Sequence, residues 1–119
     1  MNVTFRFQRG HLIIPSVMIE HEFEIRPAMA IDTGARVTVI APRLAEEVGI
    51  ELARLEPNVE LFGVAGSAWA VEVQLRRVSI LGLAVENVRA ICHPLPPRLG
   101  LDGILGLNFL EHFNLSIHS

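Results

Sequence analysis

The sequence predicts an all-β domain carrying one or two short helices, and three observations lead there. Turn-forming residues recur at short intervals, at Arg9-Gly10, Pro27, Pro57-Asn58, Gly63, Gly66, Gly82, Asn87 and the Pro94 to Pro97 cluster. The runs between them are short and rich in Val, Ile, Leu and Phe, which suits strands folded back on one another. Only two stretches show helical spacing instead. With 119 residues, the chain reads as a single domain, 1-119, large enough to bury a core without disulfide staples.

Val3, Phe5 and Phe7 alternate with Asn2, Thr4, Arg6 and Gln8, so the first run is a strand with one face buried. Val71, Val73 and Leu75 alternate with Glu72, Gln74 and Arg76 in the same way. That phase breaks at Arg76-Arg77, where a bulge or a bend is expected. Pro42 to Val48 is the first helix: Pro42 suits a first turn, Leu44 and Val48 share a face, and Gly49 suits the stop. Leu107 to Phe113 is the second, with Leu107 and Leu110 on one face and Phe109 and Phe113 on a neighbouring one. The tail, Asn114 to Ser119, alternates like another strand. Together these elements make a small β-barrel.

Composition narrows the function. Half of the residues are hydrophobic and 19% are charged, a balance that implies some apolar surface covered by a partner. Net charge is −3 and Lys plus Arg total 10, with no basic stripe, so nucleic acid is not an expected ligand. No apolar run approaches the roughly 18 residues of a membrane span. Met1 to Arg6 lacks the basic-then-apolar layout of a secretory leader, and a cytoplasmic protein is expected. The lone Cys92 excludes an internal disulfide and reads as a small buried apolar residue. Histidines 11, 21, 93, 112 and 118 lack metal-ligand spacing, so no metal is expected. His21 with Glu20, Glu22 and Glu24 reads as a solvated hairpin turn, and His93 to Arg98 as a rigid surface loop.

Chemistry concentrates at Ala30-Ile31-Asp32-Thr33-Gly34-Ala35, followed by Arg36-Val37-Thr38-Val39-Ile40. An acid ends one apolar strand, Thr and Gly turn the chain, and a second apolar strand begins. A carboxylate loses hydration in such a setting. Gly34 lets the backbone turn tightly and present its N–H to that carboxylate, and Thr33 has a hydroxyl to donate to a neighbouring loop or chain. The tripeptide alone also fits an ordinary β-turn with a surface Asp, but such a hairpin rarely carries apolar runs on both flanks. A second element, Leu101-Asp102-Gly103-Ile104-Leu105-Gly106-Leu107-Asn108-Phe109-Leu110, reads by itself as a buried strand with a Gly where a helix starts.

In this order and spacing the elements resemble the retropepsin-like aspartic peptidases, above all their bacterial and Ddi1-type members, over nearly the whole chain. Asp32-Thr33-Gly34-Ala35 is similar to the catalytic loop, and Ile104-Leu105-Gly106 to the supporting element packed behind it. Phe62-Gly63-Val64-Ala65-Gly66-Ser67 stands where the family has a Gly-rich flap, with Trp69 behind its tip. The resemblance implies a closed acid-protease barrel that forms a homodimer, because this chain has one Asp-Thr-Gly and the family's chemistry needs two facing carboxylates. It implies Asp32, Thr33 and Gly34 as catalytic residues, and Ala35, Gly63, Val64, Ala65, Gly66, Ser67 and Trp69 as substrate-binding. The substrate is an extended peptide or protein, flanked by apolar walls from Val37, Val39, Val64, Trp69 and Leu101. No metal, cofactor or covalent intermediate is required. Retroviral members pair an acid just after the Ala with an Arg just after the second Gly; Arg36 and Leu107 stand there instead, and Arg36 is expected to meet Asp102. The alternative is a non-catalytic module that keeps the fold for dimerisation or peptide binding.

Overall fold

The computed structural model describes the backbone of residues 2–6, 13–14, 16–63 and 66–118, and the side chains of residues 16–62 and 66–113. The expected turn at Arg9-Gly10, the strand positions Phe7 and Gln8, and Val64 and Ala65 lie outside the described residues. In chain order the strands are β1 (Asn2–Arg6), β2 (Ile13–Ile14), β3 (Val17–Glu20), β4 (Glu24–Ile25), β5 (Met29–Ile31) and β6 (Thr38–Ile40). Helix α1 (Pro42–Glu47) and a 3-10 turn (Leu52–Arg54) precede β7 (Val59–Gly63), β8 (Gly66–Ile80) and β9 (Leu83–Cys92). A second 3-10 turn (Pro97–Leu99), β10 (Gly103–Leu105), α2 (Leu107–Leu110) and β11 (Asn114–His118) complete the chain.

Helix α1 starts at Pro42, whose missing N–H is harmless in a first turn. It stops where Gly49 takes φ +96°, a left-handed conformation that suits glycine. Its Leu44 and Ala45, with Val48 just beyond, are buried. Helix α2 is shorter than the apolar spacing predicts. Beyond Leu110 the chain turns through His112 N–H to Phe109 O and Phe113 N–H to Leu110 O, bonds to the third residue back rather than the fourth. Phe109 and Phe113 still meet, with ring centroids 5.1 Å apart.

The main sheet runs β2-β5-β10-β6-β9-β8-β3-β4, with β7 joined to β8. Val17, Ile19, Met29, Ile40, Leu75, Val78, Ile80, Leu105 and Phe109 pack as its core. The closed barrel expected from the sequence gives way to an open sheet. Among the described residues the sheet is open, ending at β2 and β4, and β1 pairs in parallel with β11 as a separate two-stranded sheet. The reason lies in β8, whose 15 residues far exceed an ordinary strand of about 5–6. Its first part leaves the sheet as a two-stranded arm with β7, and among the described residues no pairing joins β4 back to β2.

The phase break at Arg76-Arg77 is a bend without a bulge. Leu75 still pairs with Val88 and Arg77 with Glu86, so neither strand gains a residue over the other. Leu75 and Val78 are nevertheless both buried, and Asn87 opposite adopts φ +56°. Both strands change phase together.

Candidate active site

Strand β10 lies between β5 and β6, parallel to the first and antiparallel to the second. This places Ile104-Leu105-Gly106 directly behind the loop that joins β5 to β6. Ile31 ends β5 buried, and Asp32, Thr33 and Gly34 then emerge exposed. The Asp32 N–H donates to Leu105 O at 3.1 Å, and the Ala35 N–H closes a turn onto Asp32 O at 3.1 Å. Gly34 donates its N–H to Asp32 Oδ1 at 2.8 Å. A Cβ on Gly34 would stand 3.1 Å from that same oxygen, so glycine leaves room for the carboxylate to lie over the turn.

From Leu107, α2 locks the loop from the other side. Leu107 N–H donates to Ala35 O at 2.8 Å and Asn108 N–H to Arg36 O at 3.0 Å. The two positions where retroviral members carry an ion pair, Arg36 and Leu107, are each held through backbone to the other's chain neighbour. Gly106 makes this approach possible: a Cβ there would lie 2.6 Å from the Val37 carbonyl carbon and oxygen and 2.9 Å from Ala35 O.

Beneath the loop is a polar lock that reading the sequence missed. Asn108 Oδ1 accepts the Thr38 N–H at 2.8 Å and its hydroxyl at 3.0 Å. Thr38 Oγ1 in turn accepts the Gly106 N–H at 3.2 Å, and Asn108 Nδ2 donates to Arg89 O at 2.8 Å. Thr38 is fully buried, so its polar atoms need these partners. The signal was present: a Thr inside an apolar strand requires a polar mate.

The expected Arg36–Asp102 contact does not form; Arg43 pairs with Asp102. Asp102 donates its N–H to Ala28 O and accepts the Ala41 N–H at its carbonyl, both at 2.8 Å. It also takes the Ala28 N–H on Oδ2 at 2.9 Å. These bonds fix Asp102 beside the first turn of α1, where Arg43 lies.

Above the sheet, β7 and β8 form the Gly-rich hairpin. Its register, Val59↔Ala70, Glu60↔Trp69, Leu61↔Ala68, Phe62↔Ser67 and Gly63↔Gly66, sorts the side chains by alternation. Ala70 is buried and Val59 and Leu61 are half-buried, which marks the inward face; Ala68 shares that face by register and is exposed. Ser67 and Trp69 share the outward face with Glu60 and Phe62; Trp69 is 64% and Phe62 81% exposed. Val37, Val39 and Leu101 are half-buried. Among the described residues no cluster of His, Cys, Asp and Glu could hold a metal ion, and no helix is long and apolar enough to cross a membrane. A cleft of about 430 Å³ at the β8–β9 bend is lined by Glu20, Arg76, Arg77, Glu86 and Asn87. Its arginines are already paired, Arg76 with Glu22 and Arg77 with Glu20 and Glu86.

Residues 18–112 match the family described as "gag-polyprotein putative aspartyl protease". The chain belongs to the retropepsin-like aspartic proteases. Solved structures share the fold. A retropepsin-like aspartic protease from Rickettsia conorii is 21% identical, with TM-score 0.68 over 91% of this chain and 75% of that one. The EIAV protease complexed with the inhibitor HBY-793 is 17% identical, with TM-score 0.61 and 88% of each chain covered. The retroviral protease-like domain of Ddi1 from Leishmania major is 18% identical, with TM-score 0.57 over 86% of this chain and 76% of that one. No curated protein matches the chain in sequence. Family and fold are thus those of aspartic peptidases, and the Asp32 loop of this retropepsin-like chain stands on the strand pair that β10 bridges.

Proposed function

We propose that the protein is an aspartic endopeptidase that works as a homodimer, with one Asp32 from each subunit facing a shared water. The observation that carries this reading is the exposed Asp32 carboxylate, oriented by the Gly34 N–H at 2.8 Å on a loop tied down by β10 and α2. A single chain supplies one such acid, and a two-fold axis between two loops supplies the second.

Two carboxylates in close approach do not both ionise readily, so one keeps a proton while its mate stays charged. The charged Asp32 takes a proton from the water, which attacks the peptide carbonyl, and the protonated Asp32 donates to the carbonyl oxygen. The Thr33 hydroxyl, exposed beside the acid, is free to donate to the loop of the partner. The β7–β8 hairpin covers an extended peptide through backbone hydrogen bonds. Its glycines permit opening, and its inward Leu61 and Ala68 meet the substrate side chains.

The test is cleavage of an unfolded protein at acid pH by the parent and by Asp32→Asn. The proposal requires cleavage by the parent and its loss in a variant that keeps the parent's circular dichroism. Equal cleavage by both proteins sinks it.

A further inference from the structure

The β7–β8 hairpin needs a hinge, and the hydrogen bonds locate one. Strand β8 changes partner within a single residue: Ala70 pairs with Val59 on β7, whereas Val71 pairs with Cys92 on β9. Before Ala70 the strand is held, among the described residues, by β7 alone, and from Val71 onward it is anchored in the main sheet. The root of the arm therefore lies at Ala70 to Glu72.

Asn58 sits there, one residue ahead of β7. Its backbone N–H donates to Ala70 O at 3.0 Å. Pro57 precedes it and has no N–H to extend the ladder. The Asn58 side chain takes over that rung. Its Oδ1 accepts the Glu72 N–H at 2.6 Å and its Nδ2 donates to the Glu72 carbonyl at 3.1 Å. An amide offers donor and acceptor at the spacing of a peptide group; a carboxylate, a hydroxyl or a methyl offers less.

Glu72 is held from the opposite side as well. Its carboxylate receives Arg89 Nε and a terminal guanidinium nitrogen, each at 3.2 Å, in the two-pronged geometry that fixes direction as well as distance. The Arg89 carbonyl accepts from Asn108, the residue that locks Thr38 beneath the Asp32 loop. One continuous set of bonds joins the root of the hairpin to the scaffold under the acid.

We infer that Asn58 is a positioning residue, a side-chain rung that clamps the root of the hairpin and holds the arm near the closed geometry before peptide arrives. The inference rests on reading β7–β8 as the lid of the peptide cleft. A lid held in place at its root loses less freedom on closing, so the clamp acts on substrate binding more than on bond breaking.

The test compares Asn58→Ala with the parent. Amide hydrogen exchange, followed without substrate, is expected to speed about tenfold at residues 59–63 and 66–70 and to stay unchanged at Val78 to Ile80 in the sheet. Equal exchange of the arm in both proteins overturns the inference, and so does equal acceleration of arm and sheet, which reports only a loss of global stability. On a peptide substrate KM is expected to rise about fivefold with kcat within about twofold of the parent; a fall in kcat at constant KM also overturns it. The exchange arm is independent of turnover. A parent that cleaves nothing removes the peptidase reading, and exchange at the hinge still decides the clamp.

Discussion

The lock beneath the loop makes the sharpest claim on stability. Asn108→Ala removes the oxygen that accepts both the Thr38 N–H and the Thr38 hydroxyl, at 2.8 and 3.0 Å. Thr38 is fully buried but Asn108 is half-buried, so water reaches part of the gap left by truncation and the low end of the cost applies. Each buried donor left without an acceptor costs about 1–3 kcal/mol. The third bond, to Arg89 O, lies at an exposed end and adds about 0.5 kcal/mol. At that low end the sum is about 2.5 kcal/mol, taken from the 5–15 kcal/mol that holds an ordinary domain, so the variant still folds. In urea, with a slope of about 1.5 kcal/mol per molar, the midpoint falls by about 2 M at unchanged slope. Thr38→Val, which strips the hydroxyl and orphans the Gly106 N–H, is expected to cost about 2 kcal/mol. Because the two residues share a bond, the double variant costs about 1 kcal/mol less than the sum of the singles. An Asn108→Ala loss below about 0.5 kcal/mol, or strict additivity, refutes the reasoning.

Gly106→Ala must push a methyl into the Val37 and Ala35 carbonyls, which are backbone and cannot swing aside. It is expected to lose about 2–3 kcal/mol and to displace the Asp32 loop, and an unchanged thermal midpoint contradicts this. Burial, with the Glu46 carboxylate beside it, pushes the Cys92 thiol up to about 11. A thiol that holds its proton longer when folded stabilises the fold fully below the unfolded pKa, and that contribution fades as pH rises toward 11. The sequence contains no Tyr and no Lys, so no other side chain titrates in this window. Stability should fall by on the order of 2 kcal/mol between pH 9 and 11. In Cys92→Ala that slope should vanish, as read by urea midpoints at each pH.

The elements most legible in the sequence were those decided by neighbours along the chain. Pro42 and Gly49 bracket α1 because both act through their own backbone. Asp32-Thr33-Gly34 stood out because an acid flanked by apolar strands has few structural uses. What stayed hidden depends on contacts remote in sequence. Arg43 rather than Arg36 reaches Asp102, since Ala28 and Ala41 fix where Asp102 lies. The outward placement of Trp69 follows from the register across the hairpin, which its own alternation does not reveal. Asn87 bends β9 opposite Arg76-Arg77, and the apolar pattern marked the place without deciding between a bulge and a bend. Closure of the sheet is not legible for the same reason: it depends on which distant edges meet, and the length of β8 sends its first part out as an arm.

The most direct test of a shared active site is subunit mixing. Parent and Asp32→Asn proteins, equilibrated in equal amounts until subunits exchange, are assayed for peptide cleavage at fixed total concentration. If each centre needs an acid from both chains, mixed dimers are dead and about a quarter of the parent activity remains. Retention of about half, in direct proportion to the parent fraction, means that one chain suffices and contradicts the two-subunit centre.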